Sequence, residues 1–350
     1  MPLYDVGYRA WKGKRCGYLD RILLITTTGI RLAAKSSWVR RMMLFAWLPV
    51  VWWGVGFFAI EQSLNPGSAV SMATQTLDMS PTMTRRVEQT ARLEGLTRLA
   101  SRLRIPQVDR LIKRLKGSDE DQTRNLIWGW LMMTFFRYPQ SLLILFLIGA
   151  TTPTLISRDI RSRAFLLYFS RPIGRIEYLL GKLLIPICFI VFVSTLPAFG
   201  LYLFAVAMSP NLDVLWSTWD IPLRILLATV ALVIPTSLLA LMFSSLTQES
   251  RFANFSWFAV WSMGHGAWLA VVYIVAFQMN RPPFQADVVN HPTVIRWSVL
   301  SLYNNLGDIQ SWIFGFREFH EIWPGTAMLL LVSLFSFIVL YRRISAPIRV

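Results

Sequence analysis

Between Arg158 and Lys182 a charged stretch is set between two long apolar runs. Arg158, Arg161, Arg163, Arg171 and Arg175 supply guanidinium groups, Lys182 an ammonium, and Asp159 and Glu177 carboxylates. These groups make ion pairs and charge-assisted hydrogen bonds. The stretch holds no histidine or cysteine, so it lacks the usual proton-transfer and thiol chemistry. Its centre, 164–169, is apolar. A connection that only joined two apolar runs would need neither this charge nor this apolar core. A surface that receives a partner needs both.

Other chemistries fail on spacing. Gly181-Lys182 resembles the end of a phosphate loop, but such a loop needs four residues between its glycines and Ser or Thr after the Lys. Here six residues separate Gly174 from Gly181, and Leu183 follows the lysine. The histidines, His265, His291 and His320, are scattered. Phe319-His-Glu-Ile322 lacks the second His of a zinc helix. Cys16 and Cys188 cannot build a disulfide framework or a metal cluster. No serine-hydrolase elbow or potassium-filter run appears. The chain therefore reads as carrying no cofactor, no metal and no catalytic residue.

The elements that must position the charged stretch are membrane helices. Hydrophobic residues make up 54% of the chain and charged residues 15%, with a mean hydropathy of +0.47. A soluble domain carries about 25% charged residues. A hydrocarbon core about 30 Å thick asks for roughly 20 apolar residues per helix. Six runs meet that need: about 42–60, 139–156, 179–208, 221–246, 252–277 and 324–341. Pro186, Pro197 and Pro235 fall inside spans and are expected to kink them. The first run lies behind a long basic stretch and reads as an uncleaved signal anchor.

Basic residues set the orientation. With the N-terminus inside, the inner segments 1–41, 157–182, 247–251 and 342–350 hold 19 Lys and Arg, and the outer segments 209–220 and 278–323 hold 3. Both termini are thus expected on the cytosolic side. Residues 61–137 fall outside despite 12 Lys and Arg against 8 Asp and Glu, because long loops translocate largely regardless of charge. The net charge of +16 suits anionic lipid headgroups and a protein partner. No aromatic-and-basic motif points to nucleic acid.

The remaining segments read as surface pieces. Residues 31–41 predict an amphipathic helix on the inner leaflet, with Trp38 at the interface. Helical spacing of Leu96, Leu99 and Leu103, then Val108, Ile112 and Leu115, predicts two short basic helices over 81–116. Arg137-Tyr-Pro139 separates a short apolar run, 126–136, from the second span, and this run is expected as an interfacial helix. Residues 278–323 suit re-entrant or interfacial pieces, given Trp297, Trp312 and Phe314. Arg224 is expected to reach from the fourth span to the headgroups. Ionisable residues deep in the spans are almost missing, which counts against an ion-coupled carrier.

The charged stretch itself predicts one or two short inner-face helices. Arg158, Asp159, Arg161 and Arg163 form the polar side, Phe165, Leu166 and Phe169 the apolar side, and Pro172 the stop. At residue level, Asp159-x-Arg-Ser-Arg-Ala-Phe, the Pro172-Ile-Gly-Arg175 step and Gly181-Lys182 resemble the inner loop of permease subunits of type-2 ABC exporters. Thr236 to Thr247, an apolar run closing in a Ser-Ser-x-Thr step, is similar to the end of that family's fourth span. Ser162-Arg163 stands where the family often has Gly-Thr.

The resemblance covers roughly 140–260. It implies an all-α integral membrane protein: a six-span helical bundle with short inner-face coupling helices and an enlarged first outer loop. Segment 1–41 would be cytosolic, 42–60 span one, 61–138 an extracytoplasmic helical insertion, and 139–350 spans two to six with the hinge 157–178 and a cytosolic tail. The implied function is ATP-driven export in a bacterial-type inner membrane, paired with a second copy or a sister permease. A separate ABC ATPase subunit, holding ATP and Mg, would dock on Arg158, Asp159, Arg161, Arg163, Phe165, Phe169, Arg171, Pro172, Glu177 and Lys182. Glu177 and Lys182 are also expected to pair within the hinge or with the N-terminal helix. The rival readings are a membrane scaffold of the same fold and a carrier that needs no ATPase.

Overall fold

The computed structural model describes residues 17–64, 120–164, 173–209 and 212–345. The helices expected over 81–116 lie outside these residues, as do Phe165, Phe169, Arg171 and Pro172. The described residues are helical, without strands. In chain order the helices are α1 (Tyr18–Ala34), α2 (Ser37–Phe45), α3 (Leu48–Leu64), α4 (Glu120–Phe135), α5 (Ser141–Thr151), α6 (Pro153–Arg161), α7 (Arg175–Ile190) and α8 (Leu196–Met208). There follow α9 (Val214–Ser217), α10 (Asp220–Leu246), α11 (Ser250–Gln278), α12 (Ala286–Val289), α13 (Pro292–Ser298), α14 (Leu302–Ile313) and α15 (Phe319–Ser345). Six stretches are long and apolar enough to cross a membrane: Ser37–Phe58, Gln122–Arg161, Arg175–Met208, Asp220–Leu246, Ser250–Gln278 and Phe319–Ile344.

The fourth span, α10, is the central post. It is 72% buried and packs against α6, α7, α11, α14 and α15. Lipid is as apolar as leucine, so helices associate in it through close packing and hydrogen bonds. The sequence of α10 supplies both, with small residues such as Ala228 and Ala240 and hydroxyls such as Thr229 and Ser244 buried along it. Thr229 pairs with Thr195 of the third span at 2.9 Å.

Two helices cross prolines by widening. The sequence predicts a break at Arg137-Tyr-Pro139, but the second span runs on as a 40-residue stretch from Gln122 to Arg161. A π-helical turn, Phe136–Gln140, carries it past Pro139, and Ser141 Oγ donates to the Phe136 carbonyl at 2.9 Å. The wider turn accommodates the missing N–H without ending the helix. Residues 126–136 are therefore not a separate surface helix. Trp128, Met132 and Phe135 are buried in a core with Phe57, Tyr202 and Phe314. A second π-helical turn, Val191–Thr195, precedes Pro197 in the third span.

One further expectation is corrected. The sequence predicts one helix over 31–41, but α1 ends at Ala34 and α2 starts at Ser37, where it opens the first candidate span. Arg224 Nε lies 2.8 Å from Asp220 Oδ2, and Nη1 donates to the Phe314 carbonyl at 2.7 Å. A helix-end arginine facing a carboxylate and an orphan carbonyl is better satisfied there than by solvent.

A buried ion pair also lies just beyond the first candidate span, which ends at Phe58. Glu61, whose side chain is 1% exposed, accepts from Trp128 Nε1 at 2.9 Å and lies 3.3 Å from Arg124 Nε. Ser209 Oγ donates to its other oxygen at 3.4 Å. Glu61 thereby joins the end of α3 to α4 and α8, at the end of the bundle remote from Asp159.

Candidate functional site

The candidate site lies where α6, α7 and α1 meet, at the bundle end that also holds the α10–α11 turn. The local chain dictates its start. Gly174 is extended, and Glu177 accepts the Gly174 amide at 3.0 Å, which closes the first turn of α7 with a carboxylate near the positive helix end. One helical turn further on, α7 presents Tyr178, Gly181 and Lys182 to its neighbours, all buried.

Lys182 Nζ lies 2.7 Å from Asp159 Oδ2 and donates to the Leu155 carbonyl at 2.8 Å. Tyr178 Oη donates to the same Asp159 oxygen at 2.7 Å, and the ammonium lies 5.5 Å from the Tyr178 ring centre. Both charged side chains are mostly buried, at 10% and 13% exposure. This is a closed, neutral cluster. A buried lysine needs such partners, since an unpaired ammonium in an apolar setting is costly.

The second pair brings in the N-terminal helix. Arg21 Nη1 lies 3.2 Å from Glu177 Oε2. Thr26 Oγ1 donates to the Gly181 carbonyl at 3.1 Å. A Cβ at Gly181 would stand 2.8 Å from Ile25 Cβ, so the helices approach this closely only because residue 181 has no side chain. Lys182 thus pairs within the hinge, while Glu177 meets Arg21, which lies ahead of the 31–41 stretch expected to supply an N-terminal partner.

The arginines divide differently. Arg158, Arg161, Arg163 and Arg175 are exposed, and together they form a cationic rim above the buried pairs. Arg161 Nη1 reaches Glu249 Oε1 at 3.4 Å, between two exposed side chains, which bridges α6 to the α10–α11 turn. Arg163 follows the last turn of α6 with φ 52°, in the left-handed region that favours glycine. Asp159, expected among the outward groups, points inward to Lys182.

Ser244 is a residue that the sequence reading missed as a site. Its Oγ donates to the Pro153 carbonyl at 2.8 Å and accepts the amides of Ile156 and Ser157 at 3.0 and 3.1 Å. The central span thereby grips the start of α6, one turn below the cationic rim. A hydroxyl near the end of an apolar span was the available signal, because such groups seek a partner helix.

The arrangement is built to hold three helices rigidly together and to present fixed positive charge. Among known proteins, the family described as ABC-2 family transporter protein matches residues 43–346. No curated protein and no solved structure matches the chain.

Proposed function

We propose that this chain, which belongs to the ABC-2 family of transporter proteins, moves a substrate outward across a membrane as the permease subunit of an ATP-driven exporter. It is a multi-pass membrane protein and the transport component of an ABC system. In this reading a separate ATPase subunit, carrying ATP and Mg, docks on the rim of Arg158, Arg161, Arg163 and Arg175. The hinge 157–178, including Phe165, Phe169, Arg171 and Pro172, makes up the rest of that surface. Both termini are then cytosolic, in a bacterial-type inner membrane.

The observation that carries the reading is the contrast between exposed arginines and the neutralised cluster beneath them. The exposed charge faces a partner, with Arg161 shared with Glu249, while the Asp159–Lys182 and Arg21–Glu177 pairs tie the rim to the second span, the third span and α1. A push on the rim moves these elements together. Nucleotide binding to the ATPase would bias a two-state tilt of the spans. The spans differ sharply in burial: 67%, 56% and 72% for the second, third and fourth, against 11%, 17% and 22% for the first, fifth and sixth. The less covered spans supply the face for pairing with a second copy or a sister permease, with lipid over the rest.

The test is purification of the tagged chain from its native membrane in mild detergent, with mass spectrometry of what accompanies it. An ATPase subunit near one per permease, lost on charge reversal of Arg158, Arg161 and Arg163, supports the reading. A chain that purifies without an ATPase even with nucleotide trapped overturns it.

A further inference from the structure

At the opposite end of the bundle, the π-helical turn of the second span, α11, α13, α14 and the start of α15 enclose a cavity of about 410 Å³. Two guanidiniums in its wall share one carboxylate: Arg317 Nη1 lies 2.9 Å from Asp308 Oδ1, and Arg137 Nη1 lies 3.9 Å from it. Arg137 also lies over the Tyr303 ring, 5.6 Å from its centre. Its seat exists because residue 307 is glycine; a Cβ there would collide with the guanidinium. Burial pushes the Tyr303 phenol above its ordinary pKa, outweighing the opposite pull of Arg137, so the ring stays neutral beneath the cation.

The polar bookkeeping of this wall is one-sided. Asn304 is 4% exposed, and its Nδ2 has no hydrogen-bond partner. Arg137 Nη1 and Arg317 Nε are likewise buried without one. Among the described residues lining the cavity, these are the only buried side-chain polar atoms without a hydrogen-bond partner, and all three are donors. A buried donor without an acceptor keeps the full cost of its lost hydration. The occupant that relieves this cost is rich in acceptors. Asp308 and Glu321 also line the cavity, so an occupant with two or three negative charges would meet like-charge repulsion from their carboxylates. Trp268, Val294 and Pro324 add apolar wall, where the hydrocarbon part of an amphiphile can rest.

We propose that this cavity binds a singly charged phosphate oxyanion, held by Asn304, Arg137 and Arg317. The source is either a phosphodiester lipid headgroup at that membrane surface or free monoanionic phosphate. The inference is independent of the transport reading.

The test uses the full chain, purified in detergent and stripped of lipid. Inorganic phosphate is titrated at constant ionic strength while thermal unfolding is followed. Dioleoylphosphatidylglycerol is added in parallel, and retained lipid is counted by native mass spectrometry. The variants are Asn304→Leu and Arg317→Gln, with Ser298→Trp to fill the cavity while leaving the charged groups in place. Losing one charge-assisted hydrogen bond weakens binding by about tenfold or more. Saturable lipid retention weakened to that extent in the variants places a headgroup in the cavity. Saturable phosphate stabilisation weakened in the variants, with lipid retention unchanged by them, places free phosphate there. If Asn304→Leu or Arg317→Gln fails to fold, Ser298→Trp decides alone. Absence of saturable binding in the unmodified chain, or equal binding in the folded variants, overturns the proposal.

Discussion

The ammonium of Lys182 lies 2.7 Å from Asp159 Oδ2, and that contact fastens the start of the third span to the end of the second. The chain between them carries the apolar centre of the charged stretch. A partner pressing there meets a closed corner rather than two independent helix ends.

Removing one member of this pair leaves its mate buried and uncompensated. Asp159→Asn or Lys182→Met should each lower stability by about 3 kcal/mol. The double replacement Asp159→Leu with Lys182→Met should recover most of that loss, because two apolar side chains carry no desolvation cost. Thermal unfolding of the purified variants in detergent checks this. Additive losses in the double variant would show that the two groups do not act as a pair.

Ser244→Ala removes the hydroxyl shared by the Pro153 carbonyl and the Ile156 and Ser157 amides. A loss of about 1–3 kcal/mol is expected, with faster amide hydrogen exchange confined to the start of α6. Uniform loss of protection across the bundle would contradict a local grip.

Arg163 occupies the left-handed region at φ 52°, where a side chain crowds the backbone. Arg163→Gly should therefore stabilise the chain by about 1 kcal/mol while removing one charge from the rim. Arg163→Val, branched at Cβ, should destabilise it. Unfolding curves for the three forms give the order directly.

Charge reversal at Arg158, Arg161 and Arg163 should leave membrane insertion and melting temperature nearly unchanged, since these side chains are exposed. Association with the proposed ATPase should fall and depend less on salt. Exposed charges act through a screened field, about 10 Å in range at 0.1 M salt. Co-purification at two ionic strengths separates these outcomes.

Glu61→Gln should weaken the far end. The carboxylate lies 3.3 Å from Arg124 and accepts from Trp128, and breaking a buried ion pair costs about 3–5 kcal/mol. The expected readout is loss of protection near Trp128, with no change at Lys182.

The sequence by itself determined the six membrane runs, the all-helical class and the family, because hydropathy and local motifs are properties of contiguous residues. It also marked Glu177 and Lys182 as groups in need of a partner. Only the tertiary structure decided which partners they take. Arg21 meets Glu177 because Gly181 lets α1 approach α7, and Lys182 meets Asp159 where the end of the second span lies against the start of the third. The same holds for Pro139: local rules read a helix end, but neighbouring packing and the π-helical turn carry the helix through. Asp159 and Arg158 are adjacent in the chain, yet one is buried in an ion pair and the other exposed on the rim. Helix rotation and the position of α7 separate them, and neither is a property of the local sequence.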